Sequence, residues 1–389
     1  MNRVRELDAL RGILLLVMAT THLPTALNAY VDQPLGYVSS AEGFVFLSAF
    51  LVGSLYTPMQ LTLGAGKVRR KLWARAWRLY GFHLALLAFT FTVVAGMAVL
   101  CHNQALHNYL RFFFDAPGPA LVAAPLLRYQ PPLLDILPMY IVLLALTPLV
   151  LERARRRGWA PLLLLSGLLW LCAQLQASRW FGRAEASVGL VLPNDAWSAF
   201  DWLAWQLVWM GGLWLGSRRP RPQDAAPAGA PASGLTGRHW LVAAAFAATL
   251  LFLCLRHHLG DLPVSLDVNG ALADKWKLGP LRIVNFAALA VVVQKTLLPA
   301  LRWLRIGVLE LLGRNSLYVF IAHIPVCVMA NGLVDVLGHA LRPSRQAVLL
   351  ALLFAVMLAV AWRMDGSRRS RRGSAAAARA VLEPQGTGG

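Results

Sequence analysis

The sequence predicts an all-α, polytopic integral membrane protein with about ten transmembrane helices and with both termini in the cytoplasm. Hydrophobic residues make up 58% of the 389 residues and charged residues only 14%. Soluble domains, by contrast, contain about 45–50% apolar and about 25% charged residues. Apolar runs long enough to cross a bilayer, about 20 residues each, can be placed ten times along the chain. The basic residues fall into short clusters between these runs.

The ten predicted spans follow one another along almost the whole chain. Their approximate bounds are 9–30, 38–57, 72–98, 133–152, 160–178, 197–216, 239–256, 279–297, 314–336 and 346–363. An even number of spans puts both termini on one side of the membrane. With the N-terminus inside, 27 of the 37 Lys and Arg residues lie in the inside regions. The positive-inside rule therefore assigns both termini to the cytoplasm.

Two segments lack the apolar residues that a packed core needs. Residues 220–237 are a Pro/Ala/Gly-rich linker, predicted to be flexible, within a membrane-embedded domain of residues 1–363. Residues 364–389 are a basic tail that is predicted to be disordered. The four cysteines show no paired spacing, so neither a disulfide framework nor a metal site is expected. The net charge of +19 reflects topology, so no binding of nucleic acid is expected.

The first predicted span carries an arginine and a histidine that are candidates for function. Arg11 and His22 are eleven residues apart, which is almost three helical turns, so they share nearly one face about 16 Å apart along the axis. An ionisable side chain that faces lipid costs about 2.5–3.5 kcal/mol or more, which makes such residues functional candidates by default. The alternative for His22 is a hydrogen bond between helices without a catalytic role.

A carboxylate at the start of the second span is the candidate partner of this histidine. The expected depths of His22 and Glu42 both fall in the outer half of the bilayer. A carboxylate beside an imidazole orients the ring and stabilises its charged form, as a general base requires. We therefore interpret His22 and Glu42 as a catalytic pair. The alternative for Glu42 is an acid in the first turn of a helix whose N-cap is Ser39 or Ser40.

Two arginines at the inner end of the third span are candidates for binding an anion. Arg75 and Arg78 are three residues apart and share a helix face. With the basic run at 67–71 they form a cationic mouth toward the cytoplasm, which suits phosphate because guanidinium groups offer paired donors. The alternative is charge that only sets topology, and it explains Arg78 less well because this residue lies inside the apolar stretch.

Polar and aromatic side chains at the outer ends of the spans are candidates for binding a sugar. Asp135 and Asp201 lie there, together with Trp197, Trp202 and Trp205. Carboxylates accept hydrogen bonds from hydroxyl groups, and aromatic faces stack on sugar rings. The alternative for the tryptophans is an aromatic belt at the membrane interface. In the ninth span, His323 is a supporting candidate that is expected to face the interior of the bundle.

These residues resemble motifs of the acyltransferase-3 superfamily. Arg11, followed by ten residues and His22, resembles its Arg-x10-His motif. The segment Arg75-Ala-Trp-Arg78 resembles its Arg-x-x-Arg motif.

A closer resemblance is to OpgC, the branch that modifies glucans. It rests on residues 40–53, 134–140 and 313–318, and the similarity runs over most of residues 1–363. One departure is Ala49, which stands where the family usually has glycine.

The resemblance implies a function, its substrates and a set of roles. The chain would transfer an acyl group, succinyl in OpgC, from acyl-CoA to hydroxyl groups of osmoregulated periplasmic glucans at the bacterial inner membrane. His22 and Glu42 would be catalytic, and Arg11, Arg75 and Arg78 would bind acyl-CoA. Acyl-CoA would be a co-substrate, with succinyl-CoA the first candidate, and no tightly bound cofactor is expected.

The expected partners are the lipid bilayer, acyl-CoA and a periplasmic glucan or another glycan, with proteins of glucan synthesis or export as further candidates. Two alternative functions stay open on the sequence. One is an acyltransferase-3 enzyme that acetylates another exported glycan. The other is a proton-coupled transporter or flippase that uses His22 and Glu42 as a proton relay.

Overall fold

The computed structural model describes residues 4–175, 200–219, 239–257, 270–337 and 342–382. Within these ranges the chain folds into helices and connecting loops, and ten longer helices correspond in order to the ten predicted spans. They are α1 Arg5–Thr21, α2 Ser40–Leu63, α3 Ala65–Leu100, α4 Ile136–Arg157, α5 Ala160–Gln174, α6 Trp202–Ser217, α7 His239–His257, α8 Pro280–Lys295, α9 Ser316–Leu337 and α10 Pro343–Leu382. The predicted class, a helical polytopic membrane protein, is confirmed.

Seven of these helices, α2, α3, α4, α7, α8, α9 and α10, are long and apolar enough to cross a membrane. The helices α1, α5 and α6 have 17, 15 and 16 described residues. At 1.5 Å per residue they extend about 22–26 Å, which is less than a hydrocarbon core of about 30 Å. The number of ten spans therefore stays a prediction.

Shorter helices connect the long ones on both sides of the bundle. Those that follow the outer ends of α1 and α3 are Asn28–Val31, Gln104–Tyr109, Arg111–Asp115 and Pro117–Ala123. Those between α8 and α9, on the predicted inner side, are Leu297–Leu304 and Gly307–Arg314. Tyr109 of the first group and Arg302 of the second take part in the contacts and cavities described below.

The first helix ends earlier than the sequence predicted. The predicted span was 9–30, but α1 ends at Thr21 and His22 is its C-cap. Pro24 explains the difference, because it has no N–H for a helical hydrogen bond and disfavours helical geometry in the residue before it. His22 therefore stands at the outer end of the helix rather than in the middle of a continuous span.

The last helix continues further than the sequence predicted. Disorder was expected over 364–389, whereas α10 is helical as far as Leu382. The alanine-rich run at 375–378 explains the continuation, because alanine has the highest helix propensity. The remaining residues of the tail and the predicted linker at 220–237 lie outside the described residues.

Small residues bring neighbouring helices into close contact. A Cβ atom on Gly212 of α6 would lie 2.5 Å from the carbonyl oxygen of Phe46 and 2.8 Å from the Cβ of Ala49 on α2. Ala49 is fully buried, so the glycine opposite it leaves room for its methyl group. This use of small residues is typical of helix pairs in membranes.

The same kind of contact holds α1 against the chain that leads into α9. A Cβ atom on Gly313 would overlap the carbonyl oxygen of Asp8, and one on Gly12 would overlap the backbone of Leu309. The backbone of α1 is therefore fixed in depth against the helix Gly307–Arg314. This contact sets the relative heights of the side chains that α1 and α9 contribute to the site.

Candidate active site

The imidazole rings of His22 and His323 contact each other between the outer end of α1 and the middle of α9. Nδ1 of His22 lies 3.0 Å from Nε2 of His323, and the two ring planes differ by 16°. One ring donates this hydrogen bond and the other accepts it. His323 is only 1% exposed, whereas His22 is partly exposed. His22 is therefore the less buried of the two residues.

Side chains on one face of α9 hold the histidine pair in place. His323, Cys327 and Asn331 follow at intervals of four residues, so they lie on the same face of the helix. The Asn331 amide donates to the carbonyl oxygen of His22 at 3.3 Å and to that of Cys327 at 2.8 Å. The ring of Phe320 packs edge-on against His323 with a centroid distance of 5.0 Å. These contacts fix both the backbone of His22 and the ring of His323.

Glu42 contacts Ser39 and Arg282 rather than His22, the partner that the sequence predicted. Its Oε2 accepts from the backbone N–H of Ser39 at 3.0 Å and from the Ser39 hydroxyl at 2.5 Å. Its Oε1 lies 3.2 Å from Nη1 of Arg282. Ser39 and Glu42 form a capping box at the start of α2. The expected contact between His22 and Glu42 is replaced by the contact between His22 and His323, and the catalytic role of Glu42 stays a prediction.

Arg282 is a buried residue of this region that the sequence analysis did not single out. Its exposed fraction is 1%, and that of Glu42 is 0%. Arg282 also donates to the carbonyl oxygen of Tyr37, while Asn285 accepts from the Tyr37 N–H at 2.7 Å. Glu42, Arg282 and Asn285 therefore fasten the loop after α1 to α2 and α8. An arginine in the first turn of an apolar span was the signal that could have revealed this cluster.

Arg11 and Arg75 come together within the bundle. They line one cavity with the rings of Phe44, Tyr140 and Phe320. Nη2 of Arg75 donates to the Tyr140 hydroxyl at 3.3 Å, and the Arg11 guanidinium lies 5.7 Å from the centroid of the Phe44 ring. The cavity has a volume of about 30 Å³, which is room for about one water molecule. We call it the closed gap.

Arg78 does not share the position of Arg75. Its side chain is exposed, and it is not among the described residues that line the closed gap. The predicted cationic mouth is therefore divided, with Arg75 turned into the bundle and Arg78 on its surface.

Several polar side chains lie near the histidine pair on the outer side. The Lys275 ammonium group acts electrostatically on both His22 and Asp135, and it lies 3.6 Å from the carboxylate of Asp32. The hydroxyl of Tyr109 donates to the carbonyl oxygen of Pro132. Burial, with the Asp135 carboxylate nearby, raises the pKa of Tyr109 above its usual range. Lys275, to which the sequence analysis gave no role, thus lies within electrostatic range of both His22 and Asp135, and the predicted contact of Asp135 with a sugar stays a prediction.

Asp201 lies at the start of α6, where it caps the helix. Its Oδ1 accepts from the backbone N–H groups of Leu203 at 2.9 Å and Ala204 at 3.4 Å. The N–H of Asp201 and the indole N–H of Trp205 both donate to the carbonyl oxygen of Trp276, each at 3.0 Å. These contacts give both residues a structural role, and their contact with an acceptor stays a prediction. Trp197 lies outside the described residues.

These features define a multi-pass helical membrane protein with a pair of contacting histidines at the outer end of α1 and two arginines that share a gap within the bundle. In the described part of the chain, no three His, Cys, Asp or Glu side chains are grouped to hold a metal ion. A family model described as OpgC protein matches residues 3–369. The chain therefore belongs to the OpgC family. No curated protein and no solved structure matches the chain.

Proposed function

We propose that this protein is an O-acyltransferase of the bacterial inner membrane. It transfers an acyl group, succinyl as the first candidate, from cytoplasmic acyl-CoA to hydroxyl groups of periplasmic glucans. Membership in the OpgC family supports acyl transfer. The observation that carries the proposal is the contact between the partly exposed His22 and the buried His323, at the outer end of a helix that carries Arg11 further in.

The contact supports a role for His22 as a general base. When Nδ1 of His22 donates to Nε2 of His323, the Nε2 atom of His22 carries no proton and is free to accept one. In the proposed reaction a sugar hydroxyl gives its proton to this atom while its oxygen attacks the thioester carbonyl carbon. Such proton transfer accelerates a reaction by about 10²- to 10⁴-fold.

The second half of the reaction completes the transfer. The new C–O bond forms, the C–S bond of the thioester breaks, and the electron pair of that bond leaves on the sulfur of CoA. The proton on His22 then passes to this thiolate, so the histidine returns to its starting state. His323 keeps the ring of His22 in one orientation throughout, which is the role that a third group has in a catalytic triad.

The polar and charged groups on the two sides of the histidine pair are consistent with a glucan acceptor on the outer side and an acyl-CoA donor on the inner side. Lys275, Asp135 and Tyr109 lie near the pair on the outer side. Arg11 and Arg75 lie on the inner side and carry charge opposite to that of the CoA phosphates. The outer residues would bind the hydroxyl groups of a glucan. The positive charge of the arginines would attract an anionic donor from the cytoplasm.

The test is mass spectrometry of the glucans from a strain that lacks the gene. The wild-type gene is expected to restore an acyl mass on the glucans, and this mass names the acyl group. His22→Ala is expected to restore none, although the protein inserts at the wild-type level. The matched control is His239→Ala, which removes an exposed imidazole at the start of α7. Full acylation by His22→Ala, or the same loss in the control, would contradict the proposal.

A further inference from the structure

A cavity of about 950 Å³ opens at the inner end of the helix bundle. Three of its walls are the start of α1, the end of α6 and the helix Leu297–Leu304 with the residues that flank it, and Phe50 of α2 also lines it. We call it the inner cavity. The lining residues used below are Glu6, Leu7, Arg219, Arg302, Trp303 and Arg305. Charge distribution predicts that all three walls lie on the cytoplasmic side, and the structure brings them together.

We propose that the inner cavity binds the phosphate-bearing nucleotide end of the acyl-CoA donor, an inference that rests on the proposed function. Its volume falls within the range of about 300–1,000 Å³ that is typical of sites for small molecules and cofactors. The closed gap between Arg11 and Arg75, at about 30 Å³, has no room for a nucleotide. The size of the two cavities therefore favours the inner cavity as the place where the donor first docks.

The chemistry of the lining fits an organic phosphate that carries a flat ring. Arg219, Arg302 and Arg305 outnumber the carboxylate of Glu6, so the cavity attracts anions. Guanidinium groups bind phosphate oxygens through paired donors. Trp303 is 82% exposed at the cavity, and its indole offers a face on which a nucleobase can stack. The lining thus offers arginines for the phosphate groups of a nucleotide and Trp303 for its base.

The backbone at Arg305 is a second observation at this cavity. Its φ and ψ angles are 47° and 51°, in the left-handed region. This conformation ends the helix Leu297–Leu304 so that Arg305 and Arg302 both line the cavity. A left-handed residue is a common way for a helix to end.

The geometry of α1 connects the inner cavity with the histidine pair. Leu7 lines the inner cavity, Arg11 lines the closed gap, and His22 contacts His323. The intervals of four and eleven residues are close to whole helical turns, so the three side chains share one face of the helix. Arg11 lies about 6 Å and His22 about 22 Å beyond Leu7 along the axis. Arg11 and His22 thus lie in line beyond a donor anchored at the inner cavity, with the closed gap of about 30 Å³ at Arg11 between the cavity and His22.

Binding of CoA to the full-length protein tests this inference without requiring turnover. The protein is reconstituted in nanodiscs of zwitterionic lipid, and the Kd for CoA is measured by calorimetry. The double variant Arg302→Gln/Arg305→Gln is expected to raise this Kd about tenfold or more, because each loses charge-assisted hydrogen bonds to phosphate. Trp303→Ala, which changes an exposed side chain and spares the core, is expected to raise it as well.

The matched control is Arg155→Gln/Arg157→Gln, which removes the same charge from exposed arginines at the inner end of α4. Its Kd for CoA is expected to stay at the wild-type value. If the cavity variants bind CoA as tightly as the control does, the inference is overturned. The proposed function would still hold if the wild-type protein acylates glucans. If the wild-type protein shows the expected binding but transfers no acyl group, the proposed function fails and the nucleotide site stands.

An anionic phospholipid of the inner leaflet carries the same phosphate chemistry, and a second arm of the experiment separates the two sources. Native mass spectrometry counts the phosphatidylglycerol molecules retained by the wild type and by the variants. Loss of bound phosphatidylglycerol with an unchanged Kd for CoA would assign the cavity to lipid and overturn the inference. A raised Kd for CoA with unchanged lipid retention supports it.

Discussion

At the scale of single residues, the proposed reaction depends on the contact between His22 and the buried imidazole of His323. The orientation of the His22 ring depends on a contact of 3.0 Å with a side chain on another helix. Proton transfer requires a lone pair that points at the reacting group, so a ring that is free to rotate would lose part of its effect. His323 is therefore a positioning residue in this account.

Removing this contact should lower turnover more than donor binding. We expect His323→Ala to reduce kcat about 100-fold or more, because an unoriented base loses much of its contribution, while KM for the donor changes little. His323→Gln, whose amide oxygen can still accept from Nδ1 of His22, is expected to keep more activity. Steady-state kinetics on purified protein check both. Wild-type kcat in the alanine variant, or no difference between the two variants, would count against the positioning role.

The buried pair of Glu42 and Arg282 should contribute strongly to stability. Removing one partner leaves the other charge buried without its partner, which costs about 3–5 kcal/mol. We expect Glu42→Ala and Arg282→Ala each to lower the melting temperature markedly. The melting temperature of the double variant should fall by less than the sum of the two single decreases, because the residues share one interaction. Thermal unfolding in detergent measures this, and additive losses would contradict the pairing.

The same variants separate a structural role of Glu42 from a catalytic one. If Glu42 acts only through Arg282, the two single variants should have similar activity per folded molecule. A much greater loss in Glu42→Ala would support the catalytic role that the family resemblance implies.

Sequence periodicity predicts only part of this site. Arg11 and His22 lie along one face of α1 because their spacing is close to three helical turns, which needs no tertiary information. The partner of His22 depends on which helix packs against its outer end, and His323 comes from a helix more than 300 positions later in the chain. The expected partner, Glu42, was closer in sequence but is held by a local capping box and by Arg282.

At the scale of helices, close backbone contact between α1 and the helix Gly307–Arg314 sets the depth of the site. The contact depends on the absence of a side chain at Gly313, which faces the backbone of Asp8. The distance between the two helices is therefore limited by backbone atoms rather than by side chains that could adjust.

A methyl group at this contact should disrupt the fold. We expect Gly313→Ala to reduce the yield of monodisperse protein sharply, because its Cβ atom would overlap the carbonyl oxygen of Asp8. Gly96→Ala on α3 is the matched control, since no atom lies within 4 Å of the position of its Cβ. Size-exclusion chromatography of a fluorescent fusion compares them. Equal yields would show that the two helices have room to separate.

The sequence predicts which segments form helices better than it predicts where those helices end. Each apolar run corresponds to a helix because a chain in lipid must satisfy its backbone groups internally. The ends were set by local features that hydropathy does not weigh, such as Pro24 after α1 and the alanine run after 374 in α10. Contacts through Gly212 and Gly313 were not predictable either, because a glycine in an apolar run carries no sign of the helix that it faces.

At the scale of the whole molecule, charge asymmetry gives the protein its direction. The three walls of the inner cavity come from distant parts of the sequence, and each belongs to a region that the positive-inside rule assigns to the cytoplasm. The polar groups near His22 on the opposite side come from outer loops. The protein therefore has an anion-attracting end and a polar end joined by the face of α1 that carries Arg11 and His22.

This orientation can be tested with a native cysteine. Cys101 is exposed in the connection after α3, on the predicted outer side. In a variant that lacks the other cysteines, a membrane-impermeant maleimide is expected to label Cys101 in intact spheroplasts. A cysteine placed instead at Arg155 is expected to react only after the membrane is opened. The reverse pattern would invert the topology and exclude a cytoplasmic donor at the inner cavity.

The central claim is that the protein, with His22 as the base, transfers an acyl group from a donor on one side of the membrane to a glycan on the other. Sealed inverted vesicles, with succinyl-CoA labelled in its acyl group outside and glucans enclosed within, test it most directly. The account predicts labelled ester on the enclosed glucan with the wild-type protein and none with His22→Ala. Label that crosses the membrane without becoming covalently attached to glucan, or equal incorporation by His22→Ala, would contradict the account.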